Sequence, residues 1–202
     1  MIGELLQGLD YFGTAVFAIT GALVADRKRM DLMGFLILAT VTGIGGGTLR
    51  DLLLDRPVFW LTQWEYLVIT AVMAIAFFYV GRPFRQRAGW LPWADAVGLS
   101  AFCVIGVQIA LSMNANPMIA VMMGIMTATF GGLIRDVLAG ESPLLLHREI
   151  YASAALIGGI VYVLFAQWLD WPIVAVIAGF AVTLAVRGLG IRYHWHLPSA
   201  NG

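Results

Sequence analysis

Two stretches of the chain bring together residue types able to pass or bind something small and polar inside apolar surroundings. Thr42-Gly43-Ile44-Gly45-Gly46-Gly47-Thr48 runs into Arg50-Asp51, and Thr127-Ala128-Thr129-Phe130-Gly131-Gly132 runs into Arg135-Asp136. A glycine inside a helix costs ~1 kcal/mol relative to alanine, so the clustered glycines Gly43, Gly45, Gly46 and Gly47 predict a kink or an unwound turn. Carbonyls freed there are tolerated in a membrane only where protein covers them or water reaches them, and the neighbouring threonine hydroxyls would line a polar path. The competing reading is close helix packing, which small residues also permit. A soluble phosphate loop is excluded by context: the glycines sit in an apolar span and no Lys-Ser/Thr follows them.

The remaining chemistry-bearing residues are few. Successive side chains on a helix point about 100° apart, so Arg50, Asp51, Arg135 and Asp136 are each expected to pair with a different element, as ion-pair locks, or else to reach toward the membrane surface. Asp10 and Asp95 read as helix N-caps, with cation attraction at pore mouths as the alternative. His194 and His196 in the tail and His147 in a loop give a weak metal signal without a third ligand, and no metal or other cofactor is expected. Cys103, the single cysteine, reads as core packing, as does the Met118, Met122, Met123 and Met126 set. With no paired carboxylates, metal cluster or Ser-His set inside the apolar segments, an enzyme is not expected.

What must position these residues is a membrane domain. Of the 202 residues 60% are hydrophobic and 12% charged, against about 25% charged in a soluble domain, and mean hydropathy is +0.86. A helix needs about 20 apolar residues to cross the hydrocarbon. Seven segments approach that: about Leu5 to Ala25, Leu32 to Leu54, Trp64 to Gly81, Asp95 to Met113, Met118 to Ala139, Ile150 to Leu169 and Pro172 to Arg187. Glu4 and Asp10 precede the first apolar run without a Lys or Arg, so it reads as a retained helix and not a signal peptide. Seven crossings put Arg27, Lys28, Arg29, Arg82, Arg85, Arg87, Arg135, Arg148, Arg187 and Arg192 on one side and only Arg50 and Arg56 on the other. Because basic residues favour the cytoplasm, the N-terminus is expected outside and the C-terminus inside. The seven tryptophans fall near segment ends, where amphipathic rings sit at the interface.

The chain also superimposes on itself at one constant shift, the one that carries Asp10 onto Asp95. At that shift Gly13, Phe17 and Gly21 fall on Gly98, Phe102 and Gly106; Thr42 on Thr127; Gly46-Gly47 on Gly131-Gly132; Arg50-Asp51 on Arg135-Asp136. Each copy holds three spans, an odd number, so the second enters the membrane upside down, an arrangement common in transport proteins. The expected fold is an all-α membrane protein occupying residues 1–202 as a single membrane domain. It comprises an inverted 3+3 repeat (1–88 and 92–170), a seventh helix (171–188) for packing or oligomer contact, and a tail (189–202). No nucleic-acid motif is present.

The pair of motifs from Gly43 to Asp51 and from Phe130 to Asp136, with the trailing Pro57-Val58-Phe59-Trp60 and Ser142-Pro143, resembles the prokaryotic branch of the trimeric intracellular cation (TRIC) channels. The resemblance spans nearly the whole chain. It implies a homotrimer in the bacterial inner membrane, with a pore in each protomer conducting potassium and some sodium. It also implies second and fifth spans kinked at Gly46, Gly47, Gly131 and Gly132 that frame the pore, and contact with membrane lipids, including bound lipid. The Lys-Glu-Val motif of the animal members is not present. Some bacterial relatives are proposed to move glycine, so a secondary transporter of a small zwitterion is the alternative.

Overall fold

The computed structural model describes residues 2–81, 89–146 and 150–195. Arg82, Arg85, Arg87 and Arg148, placed above on one side of the membrane, and His147 and His196, placed in a loop and the tail, lie outside the described residues. Within the described residues all regular structure is helical: α1 (Ile2–Arg27), α2 (Leu32–Leu53), α3 (Phe59–Thr62), α4 (Glu65–Val80), α5 (Trp90–Ser112), α6 (Pro117–Leu138), α7 (Ala152–Val163) and α8 (Pro172–Tyr193). A 3-10 turn covers Leu144–Leu146, and a π turn (Leu164–Trp168) extends α7.

Local chemistry explains the starts. The Asp31 carboxylate accepts the Gly34 amide at 2.8 Å at the head of α2, and Asn116 accepts the Met118 amide at 3.0 Å at the head of α6, each satisfying an orphan donor of the first turn. Pro117 and Pro172 open α6 and α8, where the missing N–H costs nothing. Left-handed turns fall at Arg29 and Asn114, and at Asp55 and Gly140; the repeat shift carries the first member of each pair onto the second.

Several expectations need correction. Asp10 and Asp95 lie inside α1 and α5, several positions past their starts, so neither is an N-cap. Reading helix starts from the first uncharged run places them too late, because polar interfacial turns are helical too. α8 continues to Tyr193, so residues 189–193 are helix and not tail. The short helix α3 and the 3-10 turn, which occupy matching places in the two copies, have no apolar-run signal.

By length and composition α1, α2, α5, α6 and α8 can each cross a membrane, while α4, and α7 with its π turn, are shorter apolar helices. Trp64, Trp90, Trp93, Trp168 and Trp171 are exposed near helix ends, as the interfacial reading requires. α5 is central, packed on α1, α6, α7 and α8, whereas α2 packs on α1, α4 and α6. α8 is held within the protomer: buried Arg187 donates to the Ile150 carbonyl at 3.1 Å and lies 5.1 Å from the Tyr151 ring centroid.

The glycine runs do not unwind. α2 and α6 remain helical through Gly43–Gly47 and Gly131–Gly132. Instead the glycines admit backbone: a Cβ on Gly46 would collide with the Thr127 carbonyl, and one on Gly131 with the Thr42 carbonyl. The contact is reciprocal under the repeat shift. So is a second: Gly21 faces the Leu38 carbonyl and the Thr42 hydroxyl, and Gly106 faces the Met123 carbonyl and the Thr127 hydroxyl. A third pairs Gly13 with Phe102 and Gly98 with Phe17.

Overpacking of this kind costs ~1–3 kcal/mol. Gly46→Ala and Gly131→Ala are each expected to lower stability by about that amount in detergent melting experiments. Gly8→Ala, with open space around the new methyl, is expected to leave the melting temperature unchanged or slightly raised.

Candidate functional site

At one end of α1, α2 and α4 a cavity of about 230 Å³ opens, lined among others by Asp10, Arg50, Arg56, Gln63, Tyr66 and Gln108. Its geometry follows from the end of α2. Asp51 turns its carboxylate onto the following segment and accepts the Phe59 amide at 2.9 Å, which seats α3. Arg50 wraps round to the same carboxylate, Nε donating to Oδ1 at 2.8 Å, and its guanidinium lies 5.7 Å from the Phe59 ring centroid. Arg56 approaches Asp51 at 3.6 Å. Across the opening, the Tyr66 hydroxyl donates to Asp10 Oδ2 at 2.9 Å. From behind, the Tyr162 hydroxyl donates to Gln108 Oε1.

The same scaffold recurs at the end of α6, closed. Asp136 accepts the Leu144 amide at 3.1 Å, and Arg135 Nε donates to Asp136 at 2.8 Å. Arg135 Nη1 also donates to Asp95 Oδ1 and to Thr20 Oγ1, both at 2.9 Å. Arg135, Asp95 and Thr20 are all fully buried. Tyr151, the counterpart of Tyr66 in the second copy, lies beside Asp95 over Gly132. The partner of Thr20 under the shift is Ile105, which lines the open cavity and has no acceptor to offer Arg50. Farther out, Glu141 ties to Arg27 at 3.4 Å and Lys28 at 3.5 Å, joining the end of α1 to the turn after α6.

These distances settle the two Arg-Asp pairs. Arg50 and Arg135 are buried, so neither reaches toward the membrane surface. Each pairs with its own neighbour, contrary to expectation: the aspartate is turned to hold the next segment, and the long arginine stem spans the angle between them. Arg135 adds the bond to a different element that a lock requires.

The glycine and threonine candidates do not form one site. Thr42, Gly46, Thr127 and Gly131 meet at the α2–α6 crossing, backbone against backbone. Gly43 faces Thr14 and Thr70, Gly45 faces Ile134, Gly47 faces Phe59 and Arg50, and Gly132 faces Tyr151, Asp95 and Arg135. Thr48 accepts the Trp60 indole N–H at 2.9 Å, and Thr129 donates back into its own helix, to the Ile125 carbonyl. Cys103 is buried and donates to the Ala155 carbonyl, and Met118 and Met122 face outward. Sequence reasoning missed Tyr66, Tyr151, Gln63, Gln108 and Thr20. The repeat shift pairs the two tyrosines and was a usable signal.

Comparison with known proteins adds an independent line. The family model described as Glycine transporter matches residues 7–82 and 92–167. The UPF0126 inner membrane protein YadS of Escherichia coli (strain K12) is 46% identical over 198 residues, covering 96% of each chain. The TRIC trimeric intracellular cation channel orthologue from Rhodobacter sphaeroides superimposes with a TM-score of 0.91 at 45% identity, covering 95% of this chain and 99% of that one. A structure described as the basis for conductance through TRIC cation channels gives 0.85 at 40% identity, covering 96% of both. These solved relatives are channels and not enzymes. With such identity over nearly its full length, the chain belongs to the family of prokaryotic TRIC channels and UPF0126 membrane proteins.

Proposed function

We propose that the chain is a passive monovalent-cation channel of the bacterial inner membrane, chiefly for potassium and also for sodium. Each protomer of a homotrimer carries its own pore, with α2 and α6 holding the walls together. The observation that carries this reading is an acid-bearing, part-polar cavity at Asp10 in a chain whose solved relatives are TRIC cation channels. No cofactor is needed beyond the permeating ion, and lipid surrounds the apolar flanks.

The architecture we infer is seven crossings built as an inverted repeat, residues 1–88 and 92–170, followed by the helix covering 171–188. Support comes from the reciprocal glycine contacts, the matched Arg-Asp turns, and a family model that matches twice at the same shift. With the N-terminus outside and the C-terminus cytoplasmic, the Asp10 cavity opens outward and the Arg135–Asp95–Thr20 cluster seals the cytoplasmic end.

A second reading, a transporter of a small zwitterion such as glycine, is favoured by two observations: the family description, and a cavity offering both a carboxylate and two guanidinium groups. The readings separate in proteoliposomes. The channel predicts potassium current that does not saturate with glycine present, lost in Gly46→Leu and Gly132→Leu. The transporter predicts saturable counterflow of labelled glycine without matching current, and no potassium current in planar bilayers under any voltage removes the channel.

The closed end makes a separate prediction. Breaking a buried pair costs about 3–5 kcal/mol, so Asp95→Ala is expected to destabilise by roughly that much in detergent unfolding. Glu141→Gln, whose ion pairs are partly exposed, is expected to cost under ~1 kcal/mol.

A further inference from the structure

The two tyrosines that the repeat shift pairs are held in unlike ways. Tyr66 is packed by aromatic rings of its own copy: its ring centroid lies 4.8 Å from that of Tyr11 and 4.5 Å from that of Phe59. The shift carries Tyr11 onto Ala96 and Phe59 onto Leu144, so neither ring is available to Tyr151. Its face is met instead by the guanidinium of Arg187 from α8, 5.1 Å from the ring centroid. Arg187 is buried, and its Nη1 donates at 3.1 Å to the carbonyl of Ile150, the residue just before Tyr151. Two glycines just beyond it let α8 come this close: a Cβ on Gly188 would stand 3.2 Å from the Trp93 ring, and one on Gly190 3.3 Å from Ile150 Cβ.

The balancing charge at each end also has a different source. Around the cavity the acids Asp10 and Asp51 stand with two cations of the same copy, Arg50 and Arg56. At the closed end Asp95 and Asp136 share Arg135, and the residue matching Arg56 is Glu141, an acid that ties to Arg27 and Lys28. Buried charge is tolerated only when it is balanced, and here the second cation is Arg187, from the helix outside the duplication. What Arg187 braces belongs to the closure itself. A Cβ on Gly132 would stand 3.1 Å from the Tyr151 hydroxyl, 3.4 Å from Asp95 Oδ1 and 3.5 Å from Arg135 Nη2, so hydroxyl, carboxylate and guanidinium converge over one glycine.

We propose that Arg187 is a positioning residue of the closed end: α8 sets a cation over the Tyr151 ring, holds that side chain against Asp95 and Arg135, and thereby biases the protomer toward its closed state. The seventh helix is then the element that makes the two ends of a duplicated scaffold unequal. This assignment rests on the channel reading and adds a residue that acts on its gating without facing the ion.

The test is single-channel recording in planar bilayers under symmetric potassium chloride, with gel filtration reporting the fold of each variant. Arg187→Gln removes the charge and keeps an amide donor, so open probability is expected to rise about tenfold, the scale of one desolvated cation–π contact, while unitary current stays unchanged. Arg187→Lys keeps the charge and stays near the unaltered protein. Arg192→Gln, at an exposed position on the same helix, changes nothing. Tyr151→Leu raises open probability by itself, and Arg187→Gln added to it brings no further rise, because the two residues act through one contact. Open probability unchanged or lowered in folded Arg187→Gln overturns the assignment, as does a full Arg187→Gln effect in the Tyr151→Leu background. Should Arg187→Gln not fold, Tyr151→Leu decides alone: a raised open probability supports the assignment and an unaltered one overturns it. Absence of potassium current in the unaltered protein takes down the channel reading and this assignment with it, whereas current with no change in any variant takes down the assignment only.

Discussion

The structure depends on one steric constraint: at Gly46 and Gly131 two membrane helices touch backbone to backbone, each presenting a carbonyl where the other has no side chain. In lipid there is little hydrophobic drive to join helices, so close packing of small residues does that work. This crossing fastens α2 to α6, and the further glycine contacts at Gly21 and Gly106 fasten α1 and α5 to those same two helices. Four helices are thereby fixed at distances that a single methyl group would upset. That rigidity lets three arginines and three aspartates be buried in defined geometry inside an apolar protein.

On this near-symmetric scaffold the two ends differ through departures from symmetry. Asp10 and Asp95 occupy matching positions, yet one borders a cavity while the other is sealed under Arg135. The sealing needs Thr20, and the matching Ile105 has no hydroxyl. Threonines line the interior of one half, whereas leucine, isoleucine and alanine fill the other. On matched positions a handful of residue differences decides which end holds a cavity and which is closed.

Much of the helical layout was legible in the sequence because apolar length and terminal tryptophans are direct consequences of the bilayer. The repeat shift was equally plain in the glycines and the Arg-Asp pairs. What could not be read was how the glycines would be used. The cost of glycine in an isolated helix argues for a break, but a partner backbone filling the space removes that tendency, and only the fold shows the partner. The same holds for Asp10 and Asp95: helix ends extend past the apolar run, so residues that look like caps lie a turn or more inside. Angular geometry alone sends Arg50 and Arg135 away from their sequence neighbours. The need to seat α3 and the 3-10 turn against Asp51 and Asp136 outweighs that geometry.

Under the proposed channel function a cation occupies the protomer interior beside Asp10, and anomalous scattering from crystals equilibrated with rubidium locates it. A peak in the cavity lined by Asp10, Tyr66 and Gln108 is expected. Peaks confined to the outer surface of the helices, with none inside the protomer, would contradict it.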